Sequence, residues 1–103
     1  MDRTTKIING RAYTECDTKL LTDLPEHVQT SLILWINRNI LPRKTQNYKY
    51  TSYGLKGFAE RSIHHYITNN QFKDAMLKCG FKPVNPADLN WSFKISLRLE
   101  EVT

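Results

Sequence analysis

The chain predicts an α+β domain: three helices with a small antiparallel sheet. Three observations predict it. An Asn-Gly pair separates two short strand-like segments near the start, three later segments carry apolar residues at helical spacing, and strict alternation runs from Trp91 to Leu99. At 103 residues, 40% of them hydrophobic and 11% aromatic, the chain fills one core and excludes a disordered tail. The expected divisions are an N-terminal hairpin at 4–16, a helix at 24–40, a basic loop at 41–50 and a final part at 51–99.

Thr5-Lys6-Ile7-Ile8 and the segment from Arg11 to Cys16 flank Asn9-Gly10, which supplies the positive φ angles of a tight hairpin. The next element opens on Asp23-Leu24-Pro25-Glu26: Asp23 is placed to cap a helix, Pro25 suits its first turn, and Glu26 stands three residues on. Val28, Leu32, Trp35 and Ile36 form one stripe of that helix, which Pro42 ends. Ile33 and Leu34 fall off the stripe. They either meet a second covering layer or offer an apolar patch to a partner, including a second copy of the chain.

Leu41 to Tyr50 reads as a polar, basic connection, long enough to suggest a functional loop. A helix from Ser52 to Ile63 should turn Leu55, Phe58, Ala59 and Ser62 inward, with Gly54 and Gly57 allowing close helix approach. Tyr66-Ile67 reads as a brief strand. Thr68 and Gln71 then form a capping box for a helix bearing Phe72, Ala75, Met76 and Cys79, which Gly80 stops. After a turn-rich stretch from Lys82 to Asp88, one strand puts Trp91, Phe93, Ile95, Leu97 and Leu99 inward and Ser92, Lys94, Ser96 and Arg98 outward. Helix, short strand, capped helix and alternating strand follow the winged-helix order, so the second half is expected to be winged-helix-like.

Composition narrows the function classes. Met1 to Lys6 is polar and Ile7-Ile8 is too short for a signal peptide, and no apolar run would span a bilayer, so the expectation is a cytoplasmic protein away from membranes. Cys16 and Cys79 then read as reduced thiols. With His64-His65 they supply metal-ligating atoms without any CxxC, HxxxH or HExxH spacing, and Cys79 on its apolar stripe reads as a core thiol. No phosphate-binding glycine loop or nucleophile signature is present, so neither a cofactor nor an enzymatic activity is expected.

Binding features are better represented. From Arg38 to Arg61 six basic residues face the single acid Glu60, which accounts for the whole formal surplus of +5. A concentrated positive field favours an anionic partner. Two surfaces are candidates. The outer face of the third helix would carry Asn69, Asn70, Lys73, Asp74 and Lys78, composed equally well for base and phosphate contact or for solvation. The second comprises Arg43, Lys44, Tyr48, Lys49, Tyr50 and Tyr53, an aromatic–basic alternation that can stack bases or anchor a protein interface, unless Tyr50 and Tyr53 pack on the core.

Three stretches carry a resemblance: Tyr50-Thr51-Ser52-Tyr53-Gly54-Leu55-Lys56, the run from Tyr66 through Gly80 to Pro83, and Leu89 to Ser96. Over residues 50–96 the chain resembles a family of small proteins of bacteriophages, phage satellites and conjugative elements of Gram-positive bacteria. Members often have Gly at the position of Asn70 and a small residue at that of Asp74. The resemblance implies a mobile-element accessory protein, and by analogy an anti-CRISPR-like, non-enzymatic inhibitor of a host RNA-guided nuclease, docking on the protein or its guide RNA. The alternative is a regulator binding DNA or RNA directly; an oligomerising structural protein built on Ile33 and Leu34, as in a homodimer, is the third reading.

Overall fold

A computed structural model gives three α-helices and two separate two-stranded antiparallel sheets; it describes residues 19–98 and the backbone of residues 5–8 and 11–14. Strand β1 (Thr5–Ile8) pairs with β2 (Arg11–Thr14), and Ile8 stands opposite Arg11, the register a two-residue turn requires. The turn residues themselves, with Cys16 and Leu99, lie outside the described residues.

Helix α1 (Glu26–Asn39) starts two residues later than expected, because Asp23 is engaged elsewhere. A single 3₁₀ turn at Leu21–Asp23 precedes it, and the Asp23 carboxylate accepts from the Leu20 amide at 2.7 Å. Pro25 occupies the cap position without a side-chain bond, and its carbonyl accepts from Val28 and Gln29. Val28, Leu32 and Ile36 are buried as the stripe predicts, while Trp35 is half-buried with its ring edge-on to Phe72 at 6.5 Å. Ile33 packs against the margin of the core, whereas Leu34 is 51% exposed.

The expected basic loop is mostly strand. β3 (Ile40–Asn47) leaves α1 without a break and pairs with β4 (Phe93–Leu97). Ile40, Leu41 and Pro42 face Leu97, Ser96 and Ile95; the ladder then jumps to Asn47 opposite Phe93, so residues 43–46 bulge out opposite Lys94. The bulge satisfies its own backbone. Arg43 donates from Nε to the Thr45 carbonyl and from Nη2 to the Gln46 carbonyl, each at 2.9 Å. Asn47 Nδ2 donates to the Ile95 carbonyl at 3.1 Å and pins the far end.

Helix α2 (Ser52–Ile63) buries Leu55 and Ala59 and half-buries Phe58. Ser62, expected inward, is exposed, and Ser52 is buried instead. The Ser52 hydroxyl accepts from the Trp91 amide at 3.0 Å and its own amide donates to the Trp91 carbonyl at 2.7 Å, tying the start of α2 to the approach of β4. The close helix approach expected at Gly54 and Gly57 is absent: a Cβ on Gly54 would meet nothing within 4 Å, and one on Gly57 only the Arg61 side chain at 3.6 Å.

Helix α3 (Asn69–Lys78) forms its capping box, with Gln71 N–H to Thr68 Oγ1 at 3.1 Å and Thr68 N–H to Gln71 Oε1 at 2.9 Å. It ends as predicted on Gly80, whose φ of 91° only glycine adopts cheaply; the Gly80 and Phe81 amides return to the Leu77 and Met76 carbonyls. Tyr66-Ile67 is loop, and Ile67 is wholly buried. Phe72, Ala75 and Met76 meet Trp91, Phe93, Ile95 and Leu97 in one core with the α1 and α2 stripes.

Candidate nucleic-acid interface

The winged-helix expectation places a recognition face on the outer side of α3, and the structure removes it. Asn70 and Lys73 are buried, Lys73 at 1% exposure. Asn70 Nδ2 donates to the Lys19 carbonyl, and the Asp74 carboxylate accepts from the Leu21 amide at 2.9 Å. The segment leading into α1, anchored by buried Leu21 and Leu24, therefore lies across this side of the helix. Lys73 runs its stem inward and holds its ammonium 4.8 Å from the Trp91 ring centre, a packed cation–π contact. Asn69 is half-buried and donates to the Leu89 carbonyl and to Asn90 Oδ1, holding the following turn. Of the expected α3 contacts only Lys78 is fully exposed.

The other expected surface survives in part. Lys44 is exposed at the bulge, while Arg43 holds bulge carbonyls and acts as its positioning residue. Tyr48 projects at 80% exposure, with Lys49 exposed beside it. Tyr50 is half-buried, edge-on to Phe58 at 5.8 Å, and the Lys49 ammonium lies 5.5 Å from the Tyr50 ring centre. Tyr53 belongs to a different group: the Lys56 ammonium lies 5.2 Å from its ring and 5.1 Å from that of Tyr66, and pairs with Glu60. Both rings are exposed, but the charge between them is neutralised within the group.

What sequence reasoning passed over is the outer face of the β3–β4 ribbon. β4 turns Phe93, Ile95 and Leu97 to the core and leaves Lys94 exposed, and Arg98, just past its end, is exposed as well. Lys44 lies in the bulged segment opposite Lys94, and Lys82 and Lys94 together line a cleft of about 420 Å³ with Pro42, Phe81 and Phe93. At the other end Arg98 donates from Nε to the Arg38 carbonyl at 2.6 Å, adding a second guanidinium residue where α1 meets β3. The alternation of Ser92, Lys94, Ser96 and Arg98 was the visible signal for half of this face. Lys82 and Arg38 reach it only through tertiary structure.

Electrostatics favour this face. Residues 19–98 hold twelve lysines and arginines against five carboxylates. Asp23, Asp74 and Glu60 serve the local contacts already described, and Asp88 accepts from the Asn85 amide at 3.5 Å. Lys44, Lys82 and Lys94 have no carboxylate partner among the described residues.

Cys79 is half-buried, and burial pushes its thiol up, against a smaller lowering by Lys78. Among the described residues no group of three or more His, Cys, Asp or Glu could hold a metal ion, and no helix is long and apolar enough to cross a membrane. What the fold and this surface define is a small α+β domain presenting a basic two-stranded ribbon. No family model, curated protein or solved structure matches the chain.

Proposed function

We propose that the chain is a non-enzymatic accessory protein that binds a nucleic acid through the outer face of the β3–β4 ribbon. The observation that carries this reading is exposed Lys44 on the bulge, exposed Lys94 and Lys82 at one cleft and exposed Arg98 past the end of β4, with no carboxylate partner for the three lysines among the described residues. Two-stranded ribbons fit a nucleic-acid groove, and lysines spaced along one neutralise successive phosphates. Arg43 contributes by holding the bulge in shape.

A second reading, an inhibitor docking on a host RNA-guided nuclease, draws on the same residues with the guide RNA as the polyanion. Exposed Tyr48 and Tyr53 favour it, because tyrosines beside basic residues are common anchors of protein interfaces. The resemblance to mobile-element proteins supplies the biological setting for both readings, a host bacterial cytoplasm.

Binding of duplex DNA, single-stranded DNA and RNA across a salt series tests the proposal. Three neutralised phosphates on a duplex give a log–log slope of about −3. Absence of binding to any of the three at low salt defeats it. For the second reading, unchanged cleavage by a nuclease–guide complex in excess protein is the defeating result.

A further inference from the structure

Between the C-terminal halves of α1 and α2 lies a second cleft, of about 360 Å³, lined by Trp35, Asn39, Phe58, Arg61, Ser62 and Leu97. Its walls are two half-buried aromatic rings, fixed by other contacts: Trp35 stands edge-on to Phe72, and Phe58 edge-on to Tyr50. The Arg61 guanidinium lies over the Phe58 ring at 5.0 Å, so the wall presents a cation to the opening. Asn39 donates from Nδ2 to the Trp35 carbonyl at 2.9 Å, which fixes its amide and leaves Oδ1 without a partner among the described residues. Among the described residues no carboxylate lines the cleft. Arg98, next in sequence to the lining residue Leu97, reaches the carbonyl of Arg38, which precedes Asn39; the guanidinium at the end of the ribbon thus stands by the rim of the cleft.

We propose that this cleft receives one unstacked base of a single-stranded nucleic acid, with its flanking phosphates held by Arg61 and Arg98. The inference rests on the nucleic-acid reading of the ribbon and sharpens it from polyanion to single strand. Aromatic rings and guanidinium planes are the groups that stack splayed bases, and an amide oxygen at the wall can accept from an exocyclic amine. A duplex keeps its bases stacked and cannot fill the site.

The test uses the full chain with a single-stranded oligonucleotide carrying 2-aminopurine and with a duplex of the same length at matched salt. The single strand binds more tightly, and its fluorescence is quenched on binding. Phe58→Leu lowers single-strand affinity about tenfold and spares the duplex. Arg61→Gln, an exposed position that leaves the core alone, lowers single-strand affinity and makes its salt slope shallower by about 0.7. Urea unfolding of both variants separates lost binding from lost fold. Duplex preferred over single strand, or single-strand binding unchanged in both variants, overturns the base site and leaves the ribbon reading standing. No binding to either oligonucleotide at low salt overturns both.

Discussion

Helix α3 and the β3–β4 ribbon both set lysines opposite an apolar stripe, Lys73 and Lys78 on one, Lys94 on the other. On α3 the second face meets the segment from Lys19 to Leu24, and Lys73 is enclosed against Trp91. On the ribbon nothing among the described residues covers Lys94, and Lys44 is exposed in the bulged segment opposite it. The same residue type therefore stabilises the fold in one place and stands available to a ligand in the other. Which of the two a lysine does is decided by what packs over it, a property of tertiary structure.

Four substitutions probe this contrast. Trp91→Ala has the largest effect, because the ring is 1% exposed, carries Lys73 and donates from Nε1 to the Pro86 carbonyl at 3.0 Å; a loss of about 3–5 kcal/mol is expected by urea unfolding. Lys73→Ala removes a packed stem and its cation–π contact, lowering stability by about 1–3 kcal/mol while leaving affinity for an oligonucleotide unchanged. A recognition-helix lysine would show the reverse, weaker binding at unchanged stability. Lys56→Gln dissolves the group formed with Tyr53, Tyr66 and Glu60. Thermal unfolding should show a loss of about 1 kcal/mol, the size of exposed cation–π and i,i+4 pairs together. Smallest in stability is the double change Lys44→Ala with Lys94→Ala, which stays within about 0.5 kcal/mol of the parent yet makes the duplex salt slope shallower by about 2.

Cys79 adds a pH signature. Its thiol is raised by burial in the folded chain, so the stability it contributes is complete below the unfolded thiol value and is lost as pH rises through the folded one. Cys79→Ser should flatten the alkaline limb of a stability profile above about pH 8.5.

Local signals were legible in the sequence. The Thr68–Gln71 box and the Gly80 stop depend on residues a few positions apart, and the structure builds both. The apolar stripe of α1 and the alternation of β4 were equally plain, because each repeats along one element. The failures are non-local. Pro42 and the polar run through Gln46 hide a strand whose pairing is with residues some fifty positions later. Asp23, a sound cap by position, bonds one turn earlier. Gly54 and Gly57 sit where no neighbouring helix approaches. Of the candidate site, Lys44, Tyr48 and Lys49 were legible as a basic, aromatic stretch; Lys82 joins Lys94 only when the segment after α3 meets β4, and Arg38 meets Arg98 only when the end of α1 meets the end of β4.

Amide chemical-shift mapping with a short oligonucleotide at low salt distinguishes the ribbon from α3 as the contact face. Perturbations are expected to concentrate in residues 41–46 and 92–98, with the amides of Asn70 to Met76 unmoved. Perturbations centred on α3 with the ribbon silent would contradict the ribbon reading.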